Sequence, residues 1–436
     1  MRTNKLSPHF PMCKDSKKST RTTDLSTRFS YSGRGEHSIR IPFDNYNSIV
    51  PDHKLFRAYL SAYYEKHPEV FPSEFKDNYH FHDIRTSEKE PYLRIRRIKL
   101  FTGECYSIIP SDVMPYLVGS TDFVEKGLLL RHYAVPYEVI GRVLGRDSDY
   151  WERAEQSLSR LSLLGSCCKV EMPIHLAADE KITFINGSEA YIALTSAKDC
   201  VLGAGFSLSE NTAGLQEAYG EFKTEALDVC AGYAPKSVNL DGWKPTNLAW
   251  KGLFEHITIV LCFLHAFLKV RQVGKNLKDK FYDLGNLLWS AYRQVSAIEF
   301  KQGLQEALVW AQTNLPNNEN ILAKVKEIIA KQEAYAISFQ QDGCYRTSNQ
   351  IDRPMNMLDR YVYQTRYFHG HLATAQQKIR AWAMIYNFMP FTDRSKKVKK
   401  ASRFEELNGF IYHKSWLQNM LIAASMNGFR QHHKKH

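Results

Sequence analysis

No two of the eight cysteines stand in C-x-x-C spacing, which leaves a zinc ribbon or a thioredoxin-like motif without support. Vicinal Cys167-Cys168 and scattered single cysteines fit free thiols in a reducing compartment. No apolar run approaches the roughly 20 residues that a bilayer-crossing helix needs. The N-terminal stretch has charges but no apolar h-region, so secretion is not expected. No internal repeat is visible, which removes solenoid and propeller architectures. Acidic residues are scarce at both ends: residues 1–50 carry 9 Lys/Arg against 4 Asp/Glu, and residues 394–436 carry 10 against 2.

What is present is a chain of 436 residues, 44 % hydrophobic and 13 % aromatic, with formal charge +12 and pI near 9.1. That length suits two or three domains with packed cores. Because the surplus positive charge sits at the ends, the middle is close to neutral. Basic ends on such a body point to a polyanionic partner, with solubilising tails as the plainer alternative.

In chain order, residues 1–50 read as a basic mobile arm, rich in Ser, Thr, Lys and Arg. Residues 51–119 hold a short helical pattern from Phe56 to Tyr64 and a hairpin, Leu93–Leu100 returning through Cys105–Ile109. Arg94, Arg96 and Lys99 fall largely on the hairpin's solvated face; with Arg97 they are either a plain polar surface or a grip for phosphates. Residues 120–168 read as three helices, Asp122–Tyr133, Pro136–Leu144 and one from near Asp149, where Asp149-x-x-Glu152 makes a capping box. The third helix has Trp151, Ala154, Leu158 and Leu161 inside and Arg153, Gln156 and Arg160 outside. That is a helix-turn-helix pattern, shared by many small bundles.

From Ile174 the period changes to strands. Ile174–Asp179, Ala190–Thr195 and Val201–Leu208 make a meander with Lys198-Asp199 as a turn, followed by a helix over Thr212–Leu227. Ser237–Leu240 then forms a buried strand that stops at Asp241-Gly242. A helix over Thr246–Phe254 leads to a second strand-like run, Ile257–Leu261, with Cys262-x-x-His265 at its exit. Strand, helix and strand make a parallel pair. Asp241 and His265, 24 positions apart, therefore share one sheet edge, the usual place for a site in an open α/β fold. Residues 169–274 and 341–392 read as two parts of an α/β core separated by a helical insertion, 275–340. Residues 393–436 read as a basic linker and a C-terminal helix.

Three aspartates stand out: Asp179 closing the first core strand, Asp241 closing the fourth, and Asp352 opening a late helix. In a sheet ordered 3-2-1-4-5 the first and fourth strands are neighbours, so Asp179 and Asp241 face one another. Two ionised carboxylates so placed repel unless a divalent cation lies between them. Magnesium suits such a pair, with manganese able to substitute.

The runs Asp179-Glu-Lys, Asn239-Leu-Asp241-Gly-Trp243, Cys262-Phe-Leu-His265 and Thr347-Ser-Asn-Gln-Ile-Asp352-Arg353 resemble the catalytic signature of DDE/DDD transposases. The likeness is to transposases of bacterial insertion sequences, related to the Mutator-like and hAT groups, and spans about residues 120–426. The spacings, 62 residues from Asp179 to Asp241 and 111 from Asp241 to Asp352, agree with it. The resemblance implies an RNase H-like α/β core with a helical insertion before the third acid. It implies Asp179, Asp241 and Asp352 as metal ligands, His265 beside the scissile phosphate, and Cys262 as a core thiol. Trp243 packs near the site or stacks on a flipped base. The third acid departs from the commoner Glu, and Pro354 follows it closely, so a helix beginning at Asp352 would use that carboxylate as a cap. Asp359 is the reserve.

The implied function is metal-dependent cleavage at terminal inverted repeats and strand transfer into target DNA. A dimer or larger oligomer is expected on the DNA, in the bacterial cytoplasm at the nucleoid and away from membranes. The alternatives are an RNase H-like nuclease that cuts without joining and a domesticated DNA-binding protein without turnover.

Overall fold

The computed structural model describes residues 37–76, 78–392 and 402–428. The chain is mixed α/β, with two mixed sheets. The first comprises β1 (Ser38–Ile41), β2 (Tyr79–Thr86), β3 (Arg94–Leu100) and β4 (Cys105–Pro110), in the order β1-β4-β3-β2. β1 runs parallel to β4, and the other pairings are antiparallel. The helix His53–Lys66 buries Phe56 and Leu60 against this sheet and is capped by Asp52, whose carboxylate accepts from the Lys54 and Leu55 amides.

Two sequence expectations change here. Most of the basic arm lies outside the described residues, but its last part, 37–50, belongs to the folded body. Ile39, Ile41 and Val50 are fully buried, apolar residues at the end of a stretch whose earlier part is rich in Ser, Thr, Lys and Arg. Arg96 is also not solvated. Its guanidinium donates to the Val50 carbonyl through Nε at 2.9 Å and also through Nη2, and it lies over the Phe56 and Phe81 rings. A buried cation lacking an anion is held by a carbonyl and two ring faces.

The second sheet comprises β5 (His175–Ile185), β6 (Ser188–Ala197), β7 (Cys200–Ser207), β8 (Ser237–Leu240) and β9 (Thr258–Leu261), in the order β7-β6-β5-β8-β9. The meander β5-β6-β7 is antiparallel; β5, β8 and β9 are mutually parallel where they pair. Lys198 and Asp199 both take positive φ, 49° and 61°, as a two-residue hairpin turn requires. All of β7 is buried, and two glycines let the helix Thr212–Val229 lie close against it. A Cβ on Gly205 would stand 2.0 Å from the Ala218 carbonyl oxygen, and one on Gly203 would stand 2.7 Å from Phe222 Cβ.

The three expected helices are Thr121–His132, Tyr137–Leu144 and Ser148–Leu158. The third is capped by Asp147, whose carboxylate accepts from Tyr150 N at 2.7 Å, two residues before the expected Asp149. A buried ion pair joins two of these helices, Arg131 to Glu155 at 2.9 Å, and Glu155 also accepts from the Tyr361 hydroxyl at 3.0 Å. Since Tyr361 belongs to the helix Asn349–Gln364, the three-helix unit is fastened to the rest of the molecule. The helical insertion has its own apolar core, built on Phe263, Leu284, Leu288, Phe300, Leu304 and Val325. That core already includes the helix Phe263–Gly274, so the inserted layer begins earlier than residue 275. Toward the C-terminus lie the helices Leu372–Phe388, Arg403–Asn408 and Trp416–Ala423; the basic linker lies outside the described residues. No helix among the described residues is long and apolar enough to cross a membrane.

The close approach at β7 makes a stability prediction. Gly205→Ala forces helix and strand apart and should cost about 1–3 kcal/mol of overpacking strain. Gly220→Ala, on the same helix with only Leu253 nearby at 3.9 Å, should instead gain roughly 0.5–1 kcal/mol from reduced chain entropy. Chemical denaturation midpoints of the two variants should move in opposite directions.

Candidate active site

The register of the parallel strands positions the acids. β5 and β8 pair His175 with Ser237, Leu176 with Val238 and Ala177 with Asn239. Two residues beyond the last pair stand Asp179 on one chain and Asp241 on the other. An even step keeps each on the face of Ala177 and Asn239. Asp179 does not close its strand as expected: β5 runs on to Ile185 because β6 continues to pair with it. It is β8 that stops, so Asp179 lies where its parallel neighbour has peeled away. Asp241 caps its own turn, its carboxylate accepting from Trp243 N at 2.7 Å, and Gly242 turns the chain at φ 94° into the helix Lys244–Leu253. The Trp243 ring is partly buried, 6.1 Å from the Tyr191 ring, as a packed aromatic.

On the other side β9 pairs with β8, and Cys262 N donates to the Leu240 carbonyl at 2.8 Å. The chain then turns directly into the helix Phe263–Gly274, placing His265 in its first turn on the edge occupied by Asp241. The adjacent Cys262 sulfur, with Asp179 and Asp241 beyond it, holds the His265 imidazolium up to about 9 against the opposing effect of burial. Its Nδ1 is buried with no well-formed hydrogen bond.

Asp352 arrives from a distant segment tied down at several points. Phe263 N donates to the Arg346 carbonyl at 3.2 Å, Ser348 N to Cys262 Sγ at 3.1 Å, and the Asn239 amide to the Tyr345 carbonyl at 3.0 Å. The helix begins at Asn349, so Asp352 lies one turn inside it and is not its cap. Pro354 cannot donate to the Gln350 carbonyl, and that acceptor is taken by the Ser196 hydroxyl of β6 at 2.9 Å. Gln350 Oε1 accepts from Asp199 N at 2.8 Å and Arg353 pairs with Asp199 at 2.7 Å, which pins the same turn to the β6-β7 hairpin. Burial raises the Asp352 carboxyl, with Ser348 and His265 pulling it back. Asp359, two turns further along the same helix, is more than half exposed and forms an ion pair with Lys181 at 2.6 Å.

Asp179 is where these groups meet. Burial lifts its carboxyl to about 6, Asp241 and Asp352 push it further up, and His265 and the Glu180 amide oppose them. Asp241, Asp352 and His265 thus all act electrostatically on Asp179. Neither the family models nor the curated proteins compared with this chain match it. Among the described residues no group of three or more His, Cys, Asp or Glu side chains is arranged so that it could hold a metal ion. The donor chemistry nevertheless fits a hard divalent cation, since three carboxylates offer oxygen ligands and their crowded negative charge needs an opposing one.

Sequence reasoning misses Glu180. It points from the opposite side of β5 and accepts from the Tyr219 hydroxyl at 2.9 Å and the Thr246 hydroxyl at 2.5 Å. Burial lifts its carboxyl to about 7, with Asp179 and Asp241 adding to the rise. The available signal is the doublet Asp179-Glu180, in which one of two alternating residues must face inward.

The other predicted residues lie on β3 and around the helix Ser148–Leu158. Arg94 is exposed, Lys99 half-buried, and Arg97 bound to Asp83 at 2.6 Å; Arg96 is buried, as described above. Arg153 and Arg160 are exposed and Gln156 half-buried. Arg153 donates to the Asp149 carbonyl at 3.1 Å, Gln156 to Glu152 at 3.1 Å, and the Arg160 guanidinium covers the Tyr116 ring at 4.8 Å.

The raised Asp179 carboxyl has a measurable consequence. Its folded value lies above the ordinary aspartate value of 3.8, so its contribution to stability is full below about pH 4 and lost as pH rises through about 6. Without divalent cations, Asp179→Asn should therefore stabilise the protein by about 1–3 kcal/mol at pH 8 and by much less at pH 4. Thermal melts at both pH values check this, and an equal effect at each would contradict the placement of Asp179.

Proposed function

We propose that this protein is a DNA transposase with an RNase H-like core, cleaving element ends and joining them to target DNA. The observation that carries the reading is that the β5-β8 register sets Asp179 beside the Asp241 strand end, and that Asp179, 62 positions before Asp241, feels the charges of Asp241, His265 and the distant Asp352. The strand order β7-β6-β5-β8-β9, which is 3-2-1-4-5 in chain order, and the helical layer before the third acid support it.

Asp179, Asp241 and Asp352 would hold magnesium, or manganese in its place, which when bound activates a water and steadies the leaving 3′ oxygen. The protein's own contribution is positioning and charge. Asp241 is oriented by the Trp243 amide, and the Asp352 turn is fixed by Ser196 and Asp199. His265, whose imidazole is raised by the adjacent Cys262 and the two aspartates, would offset charge on a non-bridging phosphate oxygen. The freed 3′-hydroxyl serves as the second nucleophile in strand transfer. Exposed Arg94, Arg153 and Arg160 are available to DNA, with Lys99, Arg97 and Gln156 beside them; Arg96 serves the fold. The substrate is double-stranded DNA, terminal inverted repeats and target, bound by a dimer or larger oligomer in the bacterial cytoplasm.

The test is a cleavage assay on labelled duplex made from the DNA flanking the coding sequence. Asp241→Asn should reduce cutting by at least about 10²–10³-fold, the scale of losing one charge-positioning group, while DNA binding persists. Asp352→Ala should be comparably inactive and Asp359→Ala should retain activity. Magnesium and manganese should support the reaction and calcium should permit binding with little chemistry. Full activity of Asp241→Asn would overturn the reading.

A further inference from the structure

A cavity of about 230 Å³ opens beside Asp241 and Gly242, and its far wall is the inserted helical layer. That wall carries Lys269, Lys324 and Lys331, all cations, against a single carboxylate, Glu327. Glu327 holds two of the three: Lys324 Nζ donates to one oxygen at 2.9 Å and Lys331 Nζ to the other at 3.0 Å. The two lysines depress its carboxyl to about 2, so it stays ionised across the working pH range. A carboxylate with two oxygens clamped between two ammonium groups presents the charge and acceptor geometry of a phosphodiester.

We propose that Lys269, Lys324 and Lys331 form a backbone-phosphate site for the substrate strand beside the acid cluster, and that Glu327 occupies it in the free protein as an internal phosphate mimic. This deepens the reading of the protein as a DNA-processing enzyme and rests on it. The three lysines and Asp241 line the same cavity, so a strand held by them would run past the carboxylates. An acid cluster that repels phosphate needs a nearby positive wall to hold the strand in place. Glu327 keeps the lysines ordered while no strand is present. When a phosphate enters, Glu327 gives up one or both ammonium groups to it, so the wall trades one anion for another and binding is weakened by that competition. Since the lysines and Glu327 are each partly exposed, substituting them leaves the buried core of the insertion intact.

The experiment measures binding of the full chain to a labelled DNA duplex of arbitrary sequence and to the same strand unpaired, by fluorescence anisotropy across a range of salt. Thermal melts accompany each variant to confirm folding. Glu327→Gln, which keeps the shape and removes the competing charge, should bind several-fold tighter than the parent. Lys324→Gln combined with Lys331→Gln should bind more weakly and flatten the slope of log affinity against log salt by up to about 1–2, near 0.9 per lost duplex phosphate contact. Lys269→Gln should add to that loss. A parent protein that binds neither DNA form would overturn the DNA reading itself. A parent that binds, with Glu327→Gln and the lysine variants unchanged in affinity and slope, would overturn this site alone.

Discussion

Parallel pairing of β8 with β5 on one side and β9 on the other is the constraint from which the candidate site follows. The pairs Ala177 with Asn239 and Asn239 with Val260 set three chains side by side in fixed register. Because side chains alternate along a strand, a slip of one residue would turn Asp179 away from Asp241 and send Asn239 off the face it shares with the Tyr345 carbonyl. β8 and β9 are short, and every side chain of β8 is buried. Apolar burial therefore locks the register, and the register brings together groups that repel each other. Burial is the main reason the Asp179 and Asp352 carboxyls are raised, and at Asp179 the Asp241 charge adds to it.

Delivering the third acid is a separate problem, because 111 residues separate it from the second. The helical insertion solves it by building its own core on Phe263 and returning the chain close to where it left. Phe263 N to the Arg346 carbonyl and Ser348 N to Cys262 Sγ join the two ends of the excursion. This gives Cys262 a structural use: a buried thiol that accepts from a backbone amide and lies against His265. Pro354 has a similar double effect. It removes one helical hydrogen bond, and the freed Gln350 carbonyl becomes the acceptor by which Ser196 anchors the turn to the sheet.

Much of this is legible in the sequence where local pattern and tertiary demand agree. The β8 run ending in Asp241-Gly242, the crossover helix and the Cys262-x-x-His265 exit can be read because a buried strand and a glycine turn are both local signals. The end of β5 cannot be read. Asp179 looks like a terminus, but β6 keeps pairing past it, and that partner is a tertiary fact. Arg96 and the strand Ser38–Ile41 mislead because their settings are tertiary: ring faces and a carbonyl bury the first, and β4 pairs with the second, which follows a basic, Ser-rich stretch. Glu180 escapes notice because hydroxyls on two separate helices satisfy it. Asp352 and Asp359 cannot be separated by helical periodicity; the ion pair of Asp359 with Lys181 distinguishes them.

The central claim is that Asp179, Asp241 and Asp352 act together on one divalent-cation site. Crystals of the protein grown with manganese and a DNA duplex, with diffraction recorded at a wavelength where manganese scatters anomalously, test it most directly. The account predicts an anomalous peak bounded by the Asp179 and Asp241 carboxylates, with Asp352 closing on it and His265 beside a phosphate oxygen. A peak elsewhere, or manganese-saturated crystals with no peak among these aspartates, would contradict it.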